Sequence, residues 1–367
     1  MPRPVLVFGA TGFTGRLVVA SLQALGVADV ILGGRDRSKL EVLSRETGLP
    51  FRVGNAEHPE TLPELVRGCH VVVSTAGPFV RYGQPLVHAA VEARAHFLDT
   101  TGEQAFLVRI QRAYDAVATE RRLAIVDAQA FEFALGYCVA ALLTAHDAAI
   151  DTVDVFNRVE GAEATHGTQR SALLALQQIP LERRDRALVS RGISPIPRRV
   201  RFPDGAGRDE LAVPFPGGEA LFLPTVAPAV RNVSTNLVLP DGVALAAMAA
   251  YALRPGLSLL GRFGALAPLE ARIDRSPEGP SAAHRATQHF KVLARGRGRA
   301  LGAGVERTVL ATGVDPYGIT GTIAALGAKM LVDGAPRAVG VVSTDQAFGA
   351  ETFLGALAPW GVRVTRS

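Results

Sequence analysis

The stretch VLVFGATGFTGRLVVASL, from Val5 to Leu22, constrains the fold more than any other part of this chain. A short apolar run breaks at Gly9, Gly12 and Gly15, and apolar residues then resume at helical spacing. Strand, glycine turn and amphipathic helix in that order open a βαβ unit. The alternation continues through DVILGGR (strand), SKLEVLSRETG (helix), PFRVGN (strand), PETLPELVRG (helix) and HVVVSTAG (strand). After these come QPLVHAAVEAR (helix), AHFLDTTG (strand), AFLVRIQRAYDAVATERR (helix) and LAIVDAQ (strand). Continuous apolar strands separated by helices predict a parallel sheet covered on both faces. Residues 1–130 are therefore expected to form a doubly wound α/β domain of the Rossmann type.

Beyond Ala128 the rhythm changes. FEFALGYCVAALLTAHD reads as a helix, TVDVFNRV as a strand and THGTQRSALLALQQI as a helix. ELAVPFPGGEALFLP, HFKVLARGRG and VERTVLATG read as short partners in a mixed or antiparallel sheet. Residues 131–335 are expected to be a second, α+β domain for substrate binding and dimerisation. Residues 336–367 form a strand-helix segment that either closes that domain or packs back on the first. The basic, Pro-containing stretch from Arg183 to Arg201 is read as a lid or a surface loop.

The glycine triplet meets the context conditions for a dinucleotide cradle. Gly9 allows the tight turn, Gly12 the close approach of backbone to a pyrophosphate, and Gly15 the packing of helix on strand. Thr11, Gly12, Phe13, Thr14 and Gly15 would present the N–H groups and partial positive charge of the helix start. The second strand ends in ILGGRDRSKL, where an NAD site would place an acid. Arg35, with Ser38 and Lys39 nearby, suits the 2′-phosphate of NADP(H), while Asp36 turns away to cap the next helix. Asn55 follows the third strand at adenine height. Thr75, Ala76, Gly77 and Pro78 follow the fourth, where small residues let a cofactor approach, and Asp99 to Glu103 follow the fifth. GRGRALG, from Gly296 to Gly302, lies between two strands and reads as a hairpin connection without a cofactor role.

No tyrosine has a lysine four residues on, so the Tyr-x-x-x-Lys proton donor is absent. The remaining donors are Tyr82, Glu103 and His166. Each has a structural alternative: a packed aromatic, a carboxylate that holds its loop, and a helix-entry residue. Histidines and cysteines do not recur at metal-ligand spacing, so no metal is expected. No Gly-x-Ser-x-Gly elbow is present. The net charge of +5 is arginine-rich and scattered, without an aromatic ladder, which argues against nucleic-acid binding. Two cysteines and the absence of a leader point to a reducing, cytoplasmic setting. The weakly charged segment from Val243 to Leu260 is expected to be a buried or dimer-interface helix, with shallow lipid contact as the second reading.

GATGFTGRLVVASL, GGRDRSKLE, ATGVDPYGIT and above all AGPFVRYGQPLVHAAVEARAHFLDTTGE resemble the saccharopine dehydrogenase-like reductases, a family that includes trans-acting enoyl reductases. The resemblance is dense to about Glu132 and patchy beyond. It implies an NADP-binding Rossmann domain, a second domain for substrate and homodimer contacts, and hydride transfer. Glu132 stands where relatives often carry an aspartate. Three functions stay open: reduction of an activated C=C or C=N bond in a small or lipid-like substrate, oxidation of an amino-acid-derived secondary amine, and non-catalytic NADP sensing or membrane-associated scaffolding.

Overall fold

The computed structural model describes residues 3–145, 147–161, 163, 165–167, 169, 179–190, 198–203, 207, 209–252, 278–301 and 304–367. They form two compact units, Met1–Ala134 with Tyr317–Trp360, and Leu135–Pro316 with Gly361–Ser367. The chain thus returns to the first unit at Tyr317, earlier than the expected border near residue 336.

The first unit is built on a seven-stranded sheet. Strands β1 (Val5–Phe8), β2 (Val30–Gly34), β3 (Phe51–Val53), β4 (Val71–Ser74), β5 (His96–Asp99) and β6 (Ala124–Val126) are joined by Gly340–Val342 in the order Gly340–Val342, β6, β5, β4, β1, β2, β3. Every pairing is parallel. Apart from β3, these strands are buried along their whole length, which explains their unbroken apolar runs. Helices α1 (Phe13–Ala24), α2 (Arg37–Thr47), α3 (Leu62–Val66), α4 (Phe79–Glu92) and α5 (Gln104–Glu120) make the crossovers. Helix α2 starts at Asp36, whose carboxylate accepts the N–H of Lys39 at 3.1 Å, and stops at Gly48 in the left-handed region.

Helix α4 begins at Phe79, five residues before the start read from the sequence. The cause lies 24 residues downstream: the Glu103 carboxylate accepts the N–H groups of Phe79 at 2.9 Å and Val80 at 2.8 Å. A side-chain cap from another element nucleates the first turn, so Tyr82 sits on a helix rather than in a loop.

Helix Pro316–Asp333 completes the unit through close contacts. A Cβ at Gly321 would lie 2.8 Å from Leu17, Thr320 Oγ1 accepts the N–H of Phe131 at 3.1 Å, and the Tyr317 ring meets Phe13 edge-on at 5.5 Å. Within the ATGVDPYGIT motif, Tyr317 therefore packs against the start of α1 and Thr320 against Phe131.

The second unit carries a mixed sheet of β7 (Thr152–Glu160), β8 (Leu181–Arg184), β9 (Ala187–Ser190), β10 (Arg198–Val200), β11 (Glu210–Pro214), β12 (Asn232–Leu239), β13 (His289–Arg297), β14 (Arg307–Val314) and the final Arg363–Arg366. The main order is β10, β11, β12, β7, β13, β14, Arg363–Arg366, with the β8–β9 hairpin on β12. Only β7 and β12 run parallel; the other pairings are antiparallel. Helix α6 (Phe131–Ala145) covers one face, where Gly136 leaves room for the Glu219 carboxylate and Gly296 for Leu143 with Ile150. The other face buries Phe156, Val200, Phe202, Ala212, Val238, Leu293 and Leu310. Strands β13 and β14 pair antiparallel, as a hairpin connection at GRGRALG requires, with Gly302 outside the described residues.

Two expectations change in this unit, and two others fall partly or mostly outside the described residues. GEALFLP, read as a strand, is the helix Glu219–Val226, and Glu219 is drawn inside by the Thr235 hydroxyl at 2.6 Å. The stretch Arg183–Arg201 contributes β9, β10 and the second half of β8 where it is described, and residues 191–197 lie outside the described part. The helix expected over residues 165–179 lies mostly outside it as well. Within the segment expected over 243–260, helix Asp241–Ala252 packs Ala244 and Met248 on Leu211 and Val213, while 253–260 are not described. Among the described residues no helix is long and apolar enough to cross a membrane.

Candidate functional site

The carboxyl ends of β1, β2 and β4 bring most of the expected cofactor residues together. Gly9 has φ +84°, and its N–H and that of Ala10 donate to the Gly33 carbonyl at 2.9 and 3.1 Å, fastening the turn to the end of β2. Thr75 Oγ1 donates to the carbonyls of Phe8 and Gly9, each at 3.2 Å. A Cβ at Gly9 would lie 2.8 Å from that hydroxyl, and one at Gly15 would overlap the Gly9 carbonyl. The chain's own packing demands both glycines.

Gly12 differs. A Cβ there would have a single neighbour, the Gly9 carbonyl oxygen at 3.4 Å, an ordinary contact. Its backbone is extended, at φ −78° and ψ 169°, which any residue adopts. Nothing inside the protein requires a glycine at this helix N-cap, where Ser, Thr or Asp would serve better. No side chain caps α1 and no acid occupies its first turn. Thr11, Gly12, Phe13 and Thr14 are all partly exposed. An open N-terminus with its side chain removed fits a phosphate group, so the residues present suit a dinucleotide.

At the end of β2, Arg35 reaches into solvent and pairs loosely with Glu57 at 3.4 Å. Asp36 is committed to its helix cap. Ser38 and Lys39 are exposed in the first turn of α2. Asn55 is held in its own turn, its side-chain oxygen accepting the N–H of Glu57 at 3.0 Å. Ala76, Gly77 and Pro78 continue from Thr75 to the start of α4, and Gly77 is exposed.

The three donor candidates separate. Both oxygens of Glu103 are bound to amides and the residue is 4% exposed, so it holds α4 and is withdrawn as a proton donor. Tyr82 lies half-buried one turn into α4, three residues beyond Phe79. His166 belongs to the second unit, where its N–H donates to the Glu278 carbonyl at 3.2 Å. Glu132, partly exposed in the first turn of α6, has its carboxyl pushed up to about 7 by desolvation.

Sequence reasoning missed the depth of the polar cluster behind these strand ends. Asp99, Asp127 and Gln129 are wholly enclosed, and Gln129 donates to the Thr344 hydroxyl at 2.8 Å. The signal was two aspartates closing two buried strands, HFLD and AIVD. A cavity of about 850 Å3 lies among α3, α4 and α5, bordered by Pro63, Val66, Val80, Pro85, His88 and Arg109, and includes none of the glycine-loop residues. Among the described residues no His, Cys, Asp and Glu group could hold a metal ion.

Comparison with known proteins agrees with this geometry. Residues 9–132 match the family model described as NAD(P)H-binding. The chain is 34% identical over 134 residues to a putative trans-acting enoyl reductase of Mycobacterium tuberculosis, covering 35% of this chain and 32% of that protein. It is 34% identical over 136 residues to a lipid droplet localized protein of Caenorhabditis elegans, covering 34% and 32%. The matched stretch thus spans about a third of the length of these relatives. Along its entire length the chain shares the fold of apo saccharopine dehydrogenase (L-Glu forming) from Saccharomyces cerevisiae, with a TM-score of 0.67, 12% identity and full coverage of both chains.

Proposed function

We propose, starting from an NAD(P)H-binding domain carried on the saccharopine dehydrogenase fold, that this chain is an NADPH-dependent oxidoreductase reducing an activated C=C or C=N bond of a small or lipid-like substrate. The observation that carries it is an uncapped α1 N-terminus, cleared of a side chain at Gly12, beside a strand end that offers the Arg35 guanidinium. The relatives named as enoyl reductases support the C=C reading. The likeness in fold to a saccharopine dehydrogenase keeps the C=N reading beside it.

Gly9 to Gly15 would hold the pyrophosphate, Arg35 with Ser38 and Lys39 the 2′-phosphate, and Thr75 to Pro78 would line the reactive half. A bound nicotinamide dinucleotide supplies the hydride. The chain must supply the proton, and Tyr82 on α4 and His166 in the second unit are the two side chains proposed for it.

Nucleotide titration followed by nicotinamide fluorescence tests the reading, with enoyl thioesters and imines offered as acceptors. Wild type is expected to bind NADPH in preference to NADH. Arg35→Asp is expected to weaken NADPH binding by roughly tenfold or more, because a phosphate loses its planar partner and gains a like charge. An Arg35→Asp protein that binds NADPH as well as wild type would reject the NADP assignment. Failure of wild type to bind either nucleotide would reject the whole reading.

A further inference from the structure

Two carboxyl groups of the first unit take no part in the function described above. Asp99 ends β5 and Asp127 directly follows β6, and the parallel register that pairs Leu98 with Val126 sets them side by side. Both are 0% exposed. Asp99 Oδ1 accepts the N–H groups of Thr101 at 3.0 Å and Ala128 at 2.9 Å, tying the two strand ends together. Ala128 is held at φ +59°, a conformation that a residue with a Cβ keeps only where its surroundings over-determine it. No N–H or hydroxyl among the described residues reaches Asp99 Oδ2 or either oxygen of Asp127.

Two adjacent buried carboxylates with no cation beside them among the described residues do not both ionise readily. Among the described residues, the hydrogen-bond donor left for Asp99 Oδ2 is a proton on Asp127. Burial pushes both groups up, Asp99 to about 6 and Asp127 further, because the Asp99 charge faces Asp127 while two amides favour the ionised form of Asp99.

We propose that Asp127 keeps its proton at neutral pH and donates it to Asp99, and that this pair is a positioning device for the cofactor wall. The link to the wall is a chain of contacts. Asp99 holds the N–H of Thr101, and Thr101 Oγ1 accepts the N–H of Glu103 at 3.1 Å. Glu103 holds the first two amides of α4, directly after Thr75 to Pro78. The second half of the proposal rests on the dinucleotide reading; the first half does not.

The sign of the pH effect follows from the upward shifts. Stability from this pair is complete below the unfolded carboxylate value near 3.8 and is lost as pH rises through about 6 and beyond. Other groups act in the same region. Glu103 adds negative charge beside Asp99, Glu132 opens α6, and desolvation pushes Asp345, beyond strand Gly340–Val342, up to about 6 while Ser343 holds it. Ser74 on β4, Gly327 on helix Pro316–Asp333 and Thr344 bring no charge. Variants of the two aspartates therefore decide the assignment.

The full-length protein is melted without nucleotide from about pH 5 to about pH 10, and titrated with NADPH over the same range. Wild type is expected to lose melting temperature toward the alkaline end. Asp127→Asn is expected to remove most of that loss, since its amide donates permanently where the proton did. Asp99→Asn is expected to keep it, because Asp127 still titrates. Near pH 6 Asp127→Asn should bind NADPH within about twofold of wild type, and near pH 9 roughly threefold more tightly. A pH slope in Asp127→Asn equal to wild type, or a loss uniform across pH, overturns the shared proton. A flattened melting profile with an unchanged NADPH profile overturns the positioning half. Wild type that binds no NADPH at any pH rejects the dinucleotide reading, while the melts still decide the pair. Should Asp127→Asn fail to fold, the infrared spectrum of wild type decides: without a protonated-carboxyl band at neutral pH, the pair does not exist.

Discussion

Asp127 in the first unit and Asp154 in the second are equally shut away from water, at 0% and 1% exposure, and they are neutralised in opposite ways. Asp154 on β7 takes the guanidinium groups of Arg198 and Arg297, lies 3.6 Å from that of Arg295, and accepts from Ser234 at 2.5 Å. Burial alone would push its carboxyl up, but Arg198, Ser234, Arg297 and Arg295 together hold it below the usual range. Asp127 meets no cation among the described residues, and burial pushes it up. The arginines lie on β10 and β13 and keep part of each side chain in solvent, whereas Asp127 sits at the end of a strand whose sheet is covered on both faces. The second unit satisfies its buried charge with its own side chains. The first spends a proton instead, and leaves the N-terminus of α1 without a side-chain cap.

Removing Asp154 is the largest way to break that contrast. Asp154→Asn leaves three guanidinium groups facing one another without their anion. The cost is expected at about 3 kcal/mol in urea unfolding, the low end for a broken buried pair because the arginines reach solvent. The pH behaviour of the two units should also be opposite. Stability from Asp154 is present above the unfolded value near 3.8 and lost as pH falls through its lowered folded value, whereas Asp127 costs stability as pH rises. Hydrogen exchange read separately for β7, β12 and β13 and for β5 and β6 checks this. If both units weaken on the same side of neutrality, the contrast is wrong.

A smaller effect tests the packing half of the first unit. A Cβ at Gly15 runs into the Gly9 carbonyl and the Ala10 backbone, neither of which has a rotamer to yield. Gly15→Ala is expected to cost about 2 kcal/mol as α1 is pushed off β1, and to abolish measurable NADPH binding with it. Loss of binding without loss of stability would mean that Gly15 serves the ligand and not the fold.

The first unit was legible because its signals are local. Continuous apolar strands, the glycine turn and the helical spacing all lie within a few residues of what they specify, so β1 to β6 and the turn at Gly9 to Gly15 could be read directly. What could not be read depends on partners far along the chain. The true start of α4 is set by Glu103, the seventh strand at Gly340–Val342 comes from a segment more than 200 residues after β6, and Glu219 turns a strand-like sequence into a helix by bonding Thr235. Arg35 was legible as a charge at a strand end, but its loose pairing with Glu57 was not. The Asp99–Asp127 pair was hidden for a related reason: HFLD and AIVD each look like an ordinary strand end, and only the register makes them neighbours.

The smallest expected stability change separates fold from ligand most cleanly. Gly12 is the one glycine of the triplet that the protein's own packing does not require, and it occupies an N-cap where serine is among the preferred residues. Gly12→Ser places a hydroxyl where it can accept a first-turn N–H of α1. The free protein should gain a few tenths of a kcal/mol, since glycine is only slightly worse than serine at such a cap. The same hydroxyl occupies the space and the donors that a phosphate would use, so NADPH affinity should fall by roughly tenfold or more. Melting the free protein and titrating it with NADPH measures the two effects side by side. A variant that gains stability and loses affinity marks Gly12 as cleared for a ligand. One that keeps its affinity returns the triplet to a glycine-bearing turn, and the contrast between a unit that satisfies itself and a unit that waits for a partner would fall with it.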